Sequence, residues 1–251
     1  MALYQYESVF ITGCSRGIGL EFVKQFVCLA KPPKHIIATS RKIDEASELY
    51  KLGLIHDNLH VFQLDVTSPE SIREATEKAT SILQGSGLSL LINNAGLFVN
   101  KGLDDIEAED MIEVFKTQTV APLMITKSLL GLLKQAARSS VPDLKTGKAL
   151  IVNISSKTSL ISDNHSGGMY ASRASKCALN MVTKSLSVDL KKDGILAVAV
   201  NPGFVKTRKE FKDAAPLTPE ESVLAMMKTI DSIDESKSGL CLNYSGEVLQ
   251  W

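Results

Sequence analysis

Short apolar runs alternate with longer amphipathic segments along the whole chain, and this alternation restricts the possible folds more than any other feature. The apolar runs lie at residues 9–11, 35–39, 59–64, 88–92, 149–154, 196–200 and 240–242. The intervening segments carry apolar residues at helical spacing and lie at 18–29, 43–54, 68–84, 109–138, 169–190 and 219–233. Strands that alternate with helices form parallel sheets covered on both faces. The sequence therefore predicts an α/β fold, a doubly wound parallel sheet of about seven strands.

The composition is that of an ordinary globular protein without a charge excess. Hydrophobic residues make up 44% and charged residues 22% of the 251 positions, which argues against disorder. The 28 basic and 28 acidic residues cancel, so the charge does not favour nucleic acid as a partner. This length suits one large hydrophobic core. We expect a single domain over residues 1–251, with a polar loop at 139–147 as its one insertion.

No segment is typical of targeting, membrane insertion or metal binding. The N-terminus lacks a cationic start followed by an apolar stretch, and no apolar run approaches the roughly 20 residues that span a bilayer. The cysteines and histidines share no metal-ligand spacing; they are Cys14, Cys28, Cys177, Cys241, His35, His56, His60 and His165. We expect a cytoplasmic protein with reduced thiols, no metal and no membrane partner.

A glycine-rich turn lies between the first predicted strand and the first predicted helix. It reads Thr12-Gly13-Cys14-Ser15-Arg16-Gly17-Ile18-Gly19. Glycines at such a turn let the backbone approach a pyrophosphate, whose negative charge then sits at the N-terminus of the following helix. The position of the turn, at the start of a strand–helix series, predicts a Rossmann-type dinucleotide site.

Further motifs follow in a fixed order along the rest of the chain. They are Asp65-Val66, Asn93-Asn94-Ala95-Gly96, Asn153-Ile154-Ser155-Ser156, Ala174-Ser175-Lys176 and Asn201-Pro202-Gly203. With the glycine turn, this series resembles the short-chain dehydrogenase/reductase family over the whole chain. Two more segments, 167–170 and 243–246, together with Trp251, are similar to the branch of C-factor and Sniffer-like carbonyl reductases.

The resemblance implies which residues hold the cofactor. The phosphates and ribose would be held in the glycine turn, by Gly13, Ser15, Arg16, Gly17, Ile18 and Gly19. Asp65 and Val66 would bracket the adenine, and Asn93, Ala95 and Gly96 would line the ribose side. The nicotinamide would be covered by Pro202, Gly203, Val205 and Thr207.

The charge after the second strand predicts NADP(H) rather than NAD(H). A carboxylate there would bond the ribose 2′-hydroxyl and repel a 2′-phosphate. The strand instead ends in Ser40, Arg41 and Lys42, and Arg16 projects from the glycine turn. Two guanidinium groups suit a phosphate because each forms bidentate, charge-assisted bonds. The alternative is that both arginines are solvated surface residues.

Carbonyl reduction in the family depends on a tyrosine, a lysine four residues later, an upstream serine and an asparagine. Lys176 matches the lysine, Ser156 the serine and Gln118 the asparagine position, but Ser172 stands where the resemblance places the tyrosine. A serine hydroxyl is much less acidic than a phenol and lies a whole ring closer to the backbone. The loss of a general acid typically slows such a reaction by about 10²–10⁴-fold, so we expect impaired turnover.

Tyr170 is the nearest aromatic residue, but it lies six positions before Lys176, and six helical residues place two side chains on different faces. It therefore resembles the additional aromatic residue of the branch more than the acid. Ser156 has its own alternative as a strand-end serine that only bonds backbone.

Three functions stay open at this point. The chain is an NADP(H)-dependent reductase of small carbonyl compounds, or a non-catalytic cofactor-binding protein that acts as a redox sensor or interaction module, or an active parent with an engineered Ser172. The family usually forms dimers or tetramers through the helices at 109–138 and 169–190, so we expect a homodimer or homotetramer. The basic segment 204–216, with Lys206, Arg208, Lys209 and Lys212, would form a substrate lid, and the sequence does not identify the substrate.

Overall fold

A computed structural model describes residues 6–42, 48–138, 149–207 and 213–251 of the chain. The strands form one sheet in the order β3-β2-β1-β4-β5-β6-β7-β8. Their bounds are β1 Ser8–Ile11, β2 His35–Ser40, β3 Leu59–Gln63, β4 Leu90–Asn93, β5 Ala149–Ile154, β6 Ile195–Asn201, β7 Cys241–Asn243 and β8 Val248–Leu249. β1 to β7 are parallel. The predicted α/β architecture with a doubly wound parallel sheet is confirmed.

Helices connect successive strands. Their bounds are α1 Gly17–Val27, α2 Glu48–Ile55, α3 Pro69–Leu83, α4 Ala108–Phe115, α5 Ala121–Ser128, α6 Leu130–Arg138, α7 Tyr170–Asp189 and α8 Pro219–Asp231. Local signals in the sequence fix several starts. Ser68 accepts a hydrogen bond from the backbone N–H of Ser71 ahead of Pro69. Thr218 and Glu221 form a reciprocal capping box at α8.

Successive residues along the strands lie alternately in two separate hydrophobic cores. On β1, Val9 and Ile11 lie in one core with Phe22 and Phe26 of α1 and residues of α8. Phe10, between them in sequence, lies in the other core with residues of α3, α5, α6 and α7. This alternation follows from the two-residue period of a strand, and it places helices on both faces of the sheet.

The predicted helix at 109–138 is not continuous. α4 leads into a π-helical turn at Lys116–Val120, α5 follows, and α6 begins only at Leu130. Leu129, at the end of α5, has a non-helical backbone conformation. A π turn accommodates one extra residue in a helix, and this one lies at the predicted site residue Gln118. Helical periodicity alone did not reveal the break.

The sheet also contains one more strand than the sequence predicts. β8 is antiparallel and pairs Val248 and Leu249 with Leu242 and Cys241 of β7. The turn that joins them places Gly246 at φ +88°, a conformation that glycine adopts readily. A two-residue strand is too short to show a periodic pattern, so it was missed.

Three sequence expectations fall wholly or partly on residues outside the described ranges. These are the start of the helix at 43–54, the loop at 139–147, and Arg208, Lys209 and Lys212 of the predicted lid. Within the described part of the chain, no helix has the length and apolar character needed to cross a membrane. The described residues also contain no group of three or more histidine, cysteine or acidic side chains placed to bind a metal ion.

Candidate functional site

A large cleft opens at the carboxyl ends of the parallel strands, where the strand order reverses beside β1. Its volume is about 880 Å³. In open α/β sheets, ligands bind at this switch point. The cleft wall contains most of the predicted site residues, namely Gly13, Ser15, Arg16, Gly17, Ile18, Arg41, Asp65, Val66, Ala95, Gly96, Gln118, Ser156, Ser172, Lys176 and Thr207. One cavity thus joins the predicted cofactor residues to the predicted catalytic ones.

Five predicted cofactor residues do not line the cleft: Gly19, Asn93, Pro202, Gly203 and Val205. Gly19 packs so tightly that a Cβ there would lie 2.3 Å from the carbonyl oxygen of Gly13. Asn93 is buried and donates from Nδ2 to Oδ1 of Asn153, at 2.9 Å. We infer that these two residues support the cleft wall instead of facing the cavity.

The glycine turn is joined to the turn after β4 by short backbone contacts. Gly13 has φ +72°, and a Cβ on it would lie 2.7 Å from Cα of Ala95. The hydroxyl of Thr12 accepts hydrogen bonds from the backbone N–H groups of Asn94 and Ala95, each at 3.0 Å. The Asn94 amide donates to the carbonyl oxygens of Thr12 and Gly13. Only glycine fits at position 13, and the two turns form one rigid wall.

Positive charge gathers at the end of the cleft next to β2. Arg16, Arg41 and Lys42 are exposed and line this end. Arg16 precedes α1 without a side-chain cap, and the first turn of α1 has no acidic residue. An acid, Asp65, also lines the cleft, and its pKa is lowered mainly by hydrogen bonds from Thr67 and further by the charge of Arg41. The free N–H groups of α1 and the two guanidinium groups therefore suit an anionic ligand.

The two serines after β5 have different hydrogen-bonding states. Ser155 is buried, and its hydroxyl is 2.7 Å from Oδ1 of Asn180, to which it donates. Ser156 accepts at Oγ from the backbone N–H of Thr158, at 3.2 Å, and from the Thr158 hydroxyl, at 2.9 Å. Both lone pairs of Ser156 are thus used, so its own proton is left to donate to a ligand in the cleft.

Lys176 lies on α7 with its amine in the cleft wall. Its Nζ donates to the carbonyl oxygen of Ile154, at 2.6 Å, and the side chain is half-buried. Loss of hydration around the amine lowers the pKa of Lys176 to about 7. No carboxylate of the described residues offsets this loss. The amine can therefore exchange a proton near neutral pH.

Ser172 lies one helical turn before Lys176 and also faces the cleft. Its side chain is only 6% exposed, and its Oγ has no hydrogen-bond partner among the described residues. Tyr170 begins α7, is 39% exposed and lies away from the cleft wall. The structure thus agrees with the helical argument that Tyr170 and Lys176 point in different directions.

Gln118 is 4% exposed and donates from its amide to the carbonyl oxygen of Leu97, in the segment after β4. The π turn brings this side chain to the cleft wall. Gln118 therefore links the π turn to the segment that follows β4.

The segment before α7 has an unusual backbone that the sequence did not reveal. Gly167, Gly168 and Met169 are all left-handed, with φ of +64°, +64° and +50°. Arg173 holds this segment by donating to the carbonyl oxygens of Gly167 and Gly168, at 3.2 and 3.1 Å, and to the hydroxyl of Ser166. Met169 consequently lies in the cleft wall.

Other wall residues were also missed by sequence reasoning. They are Ser40, Lys42, Leu64, Thr67, Asn94, Leu97, Phe98, Glu113, Lys116, Thr117, Ile154, Ser155, Thr158 and Met169. Asn94 was visible as part of a quoted motif.

Comparisons with known proteins agree with this geometry. The family model described as short chain dehydrogenase matches residues 7–215. The solved carbonyl reductase Sniffer of Drosophila melanogaster is 36% identical with a TM-score of 0.94, covering 98% of this chain and 100% of that chain. A carbonyl reductase from chicken fatty liver, solved with NADPH bound, is 38% identical with a TM-score of 0.90, covering 99% and 100%.

A curated relative points to the same branch. C-signal of Myxococcus xanthus is 33% identical over 174 residues, which cover 69% of this chain and 98% of that protein. The resemblance inferred from the motifs is confirmed. The chain belongs to the short-chain dehydrogenase/reductase family, in the branch of C-factor and Sniffer-like carbonyl reductases.

Proposed function

We propose that the protein binds NADP(H) and is built on the plan of a carbonyl reductase, with turnover impaired because Ser172 occupies the position of the proton donor. The observation that carries this proposal is the state of Ser172. Its Oγ is buried and unpartnered among the described residues, in the same cleft wall as Lys176 and Ser156. The residues proposed for carbonyl reduction therefore lie together, without the phenol that would donate the proton.

The preference for NADP(H) over NAD(H) rests on charge. Arg16 and Arg41 line the end of the cleft next to β2, and no acid follows β2 before residue 44. A 2′-phosphate there would receive charge-assisted hydrogen bonds from both guanidinium groups. The chicken carbonyl reductase, solved with NADPH bound, supports the same cofactor.

The chain's own residues would divide the remaining work. Bound NADPH would supply the hydride. Ser156 would donate its free proton to a carbonyl oxygen and so orient the substrate. Lys176 would hold the nicotinamide ribose and supply positive charge, and Gln118 would position a water molecule in place of the family's asparagine. We propose these three residues, together with Ser172, as the catalytic set.

The step that these residues would perform poorly is the transfer of a proton to the carbonyl oxygen. The short side chain of Ser172 is a poor acid and cannot reach as far as a phenol. A general acid within hydrogen-bond reach typically contributes about 10²–10⁴-fold to the rate. A water molecule in the vacated space would relay a proton with weaker positioning.

The second candidate function is a cofactor-binding protein without turnover, acting as a redox sensor or an interaction module. The specific observation in its favour is that Ser172 and Gln118 stand where the resemblance places a tyrosine and an asparagine, while the glycine turn, Arg16 and Arg41 all line the cleft. Tight NADPH binding without reduction of any carbonyl compound is its signature.

The experiment compares the protein with its Ser172→Tyr variant. NADPH binding is measured by fluorescence titration, and NADPH oxidation is measured with a panel of dicarbonyl compounds and quinones. We expect both proteins to bind NADPH with similar affinity, and the variant to turn over about 10²–10⁴-fold faster.

Three outcomes separate the functions. Robust turnover by the unmodified chain would contradict the reading of Ser172. Binding without turnover in both proteins would favour the sensor. Failure of both proteins to bind NADPH would reject the cofactor proposal.

A further inference from the structure

The unsatisfied hydroxyl of Ser172 needs a partner that the described residues do not supply. A buried polar group without a hydrogen bond is destabilising by about 1–3 kcal/mol, and nearly all such groups in folded proteins are paired. Ser172 lines the cleft, and only 6% of its surface is exposed. A group that enters the cleft is therefore the natural partner.

Lys176 is the next residue on the helix face that carries Ser172. Lys176 lies four positions after Ser172, so the two side chains share one face of α7. Among the described residues, its amine donates one hydrogen bond, to the carbonyl oxygen of Ile154, which leaves further N–H donors. The floor of the cleft thus presents two groups, a hydroxyl and an amine, that together suit the oxygen of an ionisable hydroxyl group.

The surrounding wall suits an aromatic ring. Leu97 and Phe98 follow the turn after β4, and Met169 precedes α7; all three line the cleft. Ser172 itself fills little of the space on its helix face. Aromatic rings pack well against phenylalanine and methionine side chains.

We propose that the floor at Ser172 and Lys176 binds a hydroxyl group that belongs to the substrate, and that the preferred substrates are aromatic aldehydes or ketones with a hydroxyl ortho to the carbonyl. This inference rests on the proposed function and names its substrate class. The ligand supplies the proton donor that the chain lacks.

The reaction balances without any further reagent. The carbonyl carbon accepts a hydride, for which NADPH is the donor and is oxidised to NADP⁺, and the π electrons of the C=O bond move to oxygen. That oxygen takes the proton of the ortho hydroxyl. The resulting phenolate lies beside the Lys176 ammonium and the Ser172 hydroxyl, and it recovers a proton from water on release.

The first test measures binding without turnover. The probe is 4-nitrophenol, whose phenolate absorbs visible light, titrated into the cofactor-free protein and into Ser172→Tyr and Ser172→Ala. We expect the protein to bind the probe and favour its phenolate form. Ser172→Tyr fills the space and should weaken binding at least tenfold, whereas Ser172→Ala keeps the space and should weaken it less. Equal affinity in the protein and in Ser172→Tyr would overturn the proposal.

The circular dichroism spectrum, measured on all three proteins, reports whether each variant is folded. The binding comparison also stands if NADPH does not bind, because it requires no cofactor. Failure of the proposed function and failure of this inference are thus distinguishable.

The second test uses a matched pair of substrates, 2-hydroxybenzaldehyde and 4-hydroxybenzaldehyde. The ratio of their kcat/KM values is corrected by the ratio of their borohydride reduction rates in solution. We expect a corrected ratio of at least ten for the protein and a ratio near one for Ser172→Tyr, which carries its own phenol. If Ser172→Tyr reduces both aldehydes and the protein shows no ortho preference, the inference is wrong while the reductase proposal stands.

Discussion

Ser172 and Lys176 occupy adjacent turns of α7 but differ in their hydrogen bonding. Lys176 has a backbone acceptor at 2.6 Å, and Ser172 has no partner among the described residues. The lysine is held in place whether or not its neighbour can act as an acid. At the scale of single residues, we propose that the cleft retains positive charge and a serine that orients the carbonyl group, and that it lacks a proton donor of sufficient length.

Lys176 should be chemically distinctive. Because its pKa is lowered to about 7, the amine is protonated and unreactive below pH 7 and neutral and nucleophilic above it. We expect its acetylation by a limiting amount of acetic anhydride, followed by mass spectrometry in the cofactor-free protein, to rise with a midpoint near pH 7. A midpoint close to the ordinary lysine value of 10.5 would contradict the burial argument.

The same shift should affect stability, and its sign follows from proton linkage. Between pH 7 and 10.5 the unfolded chain binds a proton at Lys176 that the folded chain does not, so this residue makes stability rise with pH in that window. We expect Lys176→Met to flatten the rise, measured by urea unfolding at pH 7 and pH 9.5. An unchanged slope would show that other groups cause it.

Arg41 should select between the two dinucleotides. Hydrogen bonds to charged groups contribute about 1.5–3 kcal/mol, so Arg41→Ala should weaken NADPH binding by about 10–100-fold and leave NADH binding nearly unchanged. Fluorescence titration of both cofactors measures this. Lys51→Ala, an exposed position on α2, is the matched control. Equal losses for NADPH and NADH would indicate that Arg41 does not contact a 2′-phosphate.

At the scale of elements, the sequence predicted what depends on long periodic patterns and failed where the pattern is interrupted. Strands β1 to β7 and the order of helices follow from alternating apolar segments. The π turn at Lys116–Val120 inserts into a helix without disturbing its composition, and β8 is only two residues long. Neither leaves a signal in hydrophobic spacing.

The site residues also fall into a group that the sequence predicted and a group that it did not. Residues in sequence motifs, such as Gly13, Ser156 and Lys176, were predicted because each motif is local in the chain. Met169 and Arg173 were not, because their importance arises from three left-handed residues in a row and a side chain that folds back onto them. Such contacts become visible only when the backbone path is known.

Arg173 should hold the segment that carries Met169 into the cleft. Arg173→Ala removes the bonds to Gly167, Gly168 and Ser166, so we expect faster amide hydrogen exchange at residues 164–169 while β5 and α7 remain protected. The control is Arg73→Ala on α3, whose ion pairs with Glu70 and Glu77 are exposed. Unchanged exchange in the segment would show that the glycines define its shape without Arg173.

At the scale of the whole molecule, one sheet with a hydrophobic core on each face runs through the described chain, and we propose that the protein folds as a single domain. The two helices α4 and α7 pack against each other and still expose apolar side chains. Ile112 is 65%, Met181 67% and Val188 63% exposed. Exposed apolar side chains on these helices would suit an interface between subunits, so the predicted homodimer or homotetramer stays a proposal located on them.

Met181→Asp should separate the subunits without unfolding them, since the side chain is exposed in the single chain. We expect the molar mass from light scattering to fall to that of one chain while the circular dichroism spectrum is unchanged. Leu54→Asp, on an exposed position of α2 with 68% exposure, should leave the mass unaltered. A protein that is already monomeric at micromolar concentration would refute the proposed assembly.

The hairpin formed by β7 and β8 also has a consequence for colloidal behaviour. An exposed, long strand edge is a template for further strands and therefore for aggregation. Here the sheet ends on its β8 side in only two antiparallel residues, Val248 and Leu249, after the tight turn at Gly246. So short an edge offers few backbone groups to another chain, and concentrated solutions of the folded protein should resist fibril growth from that side.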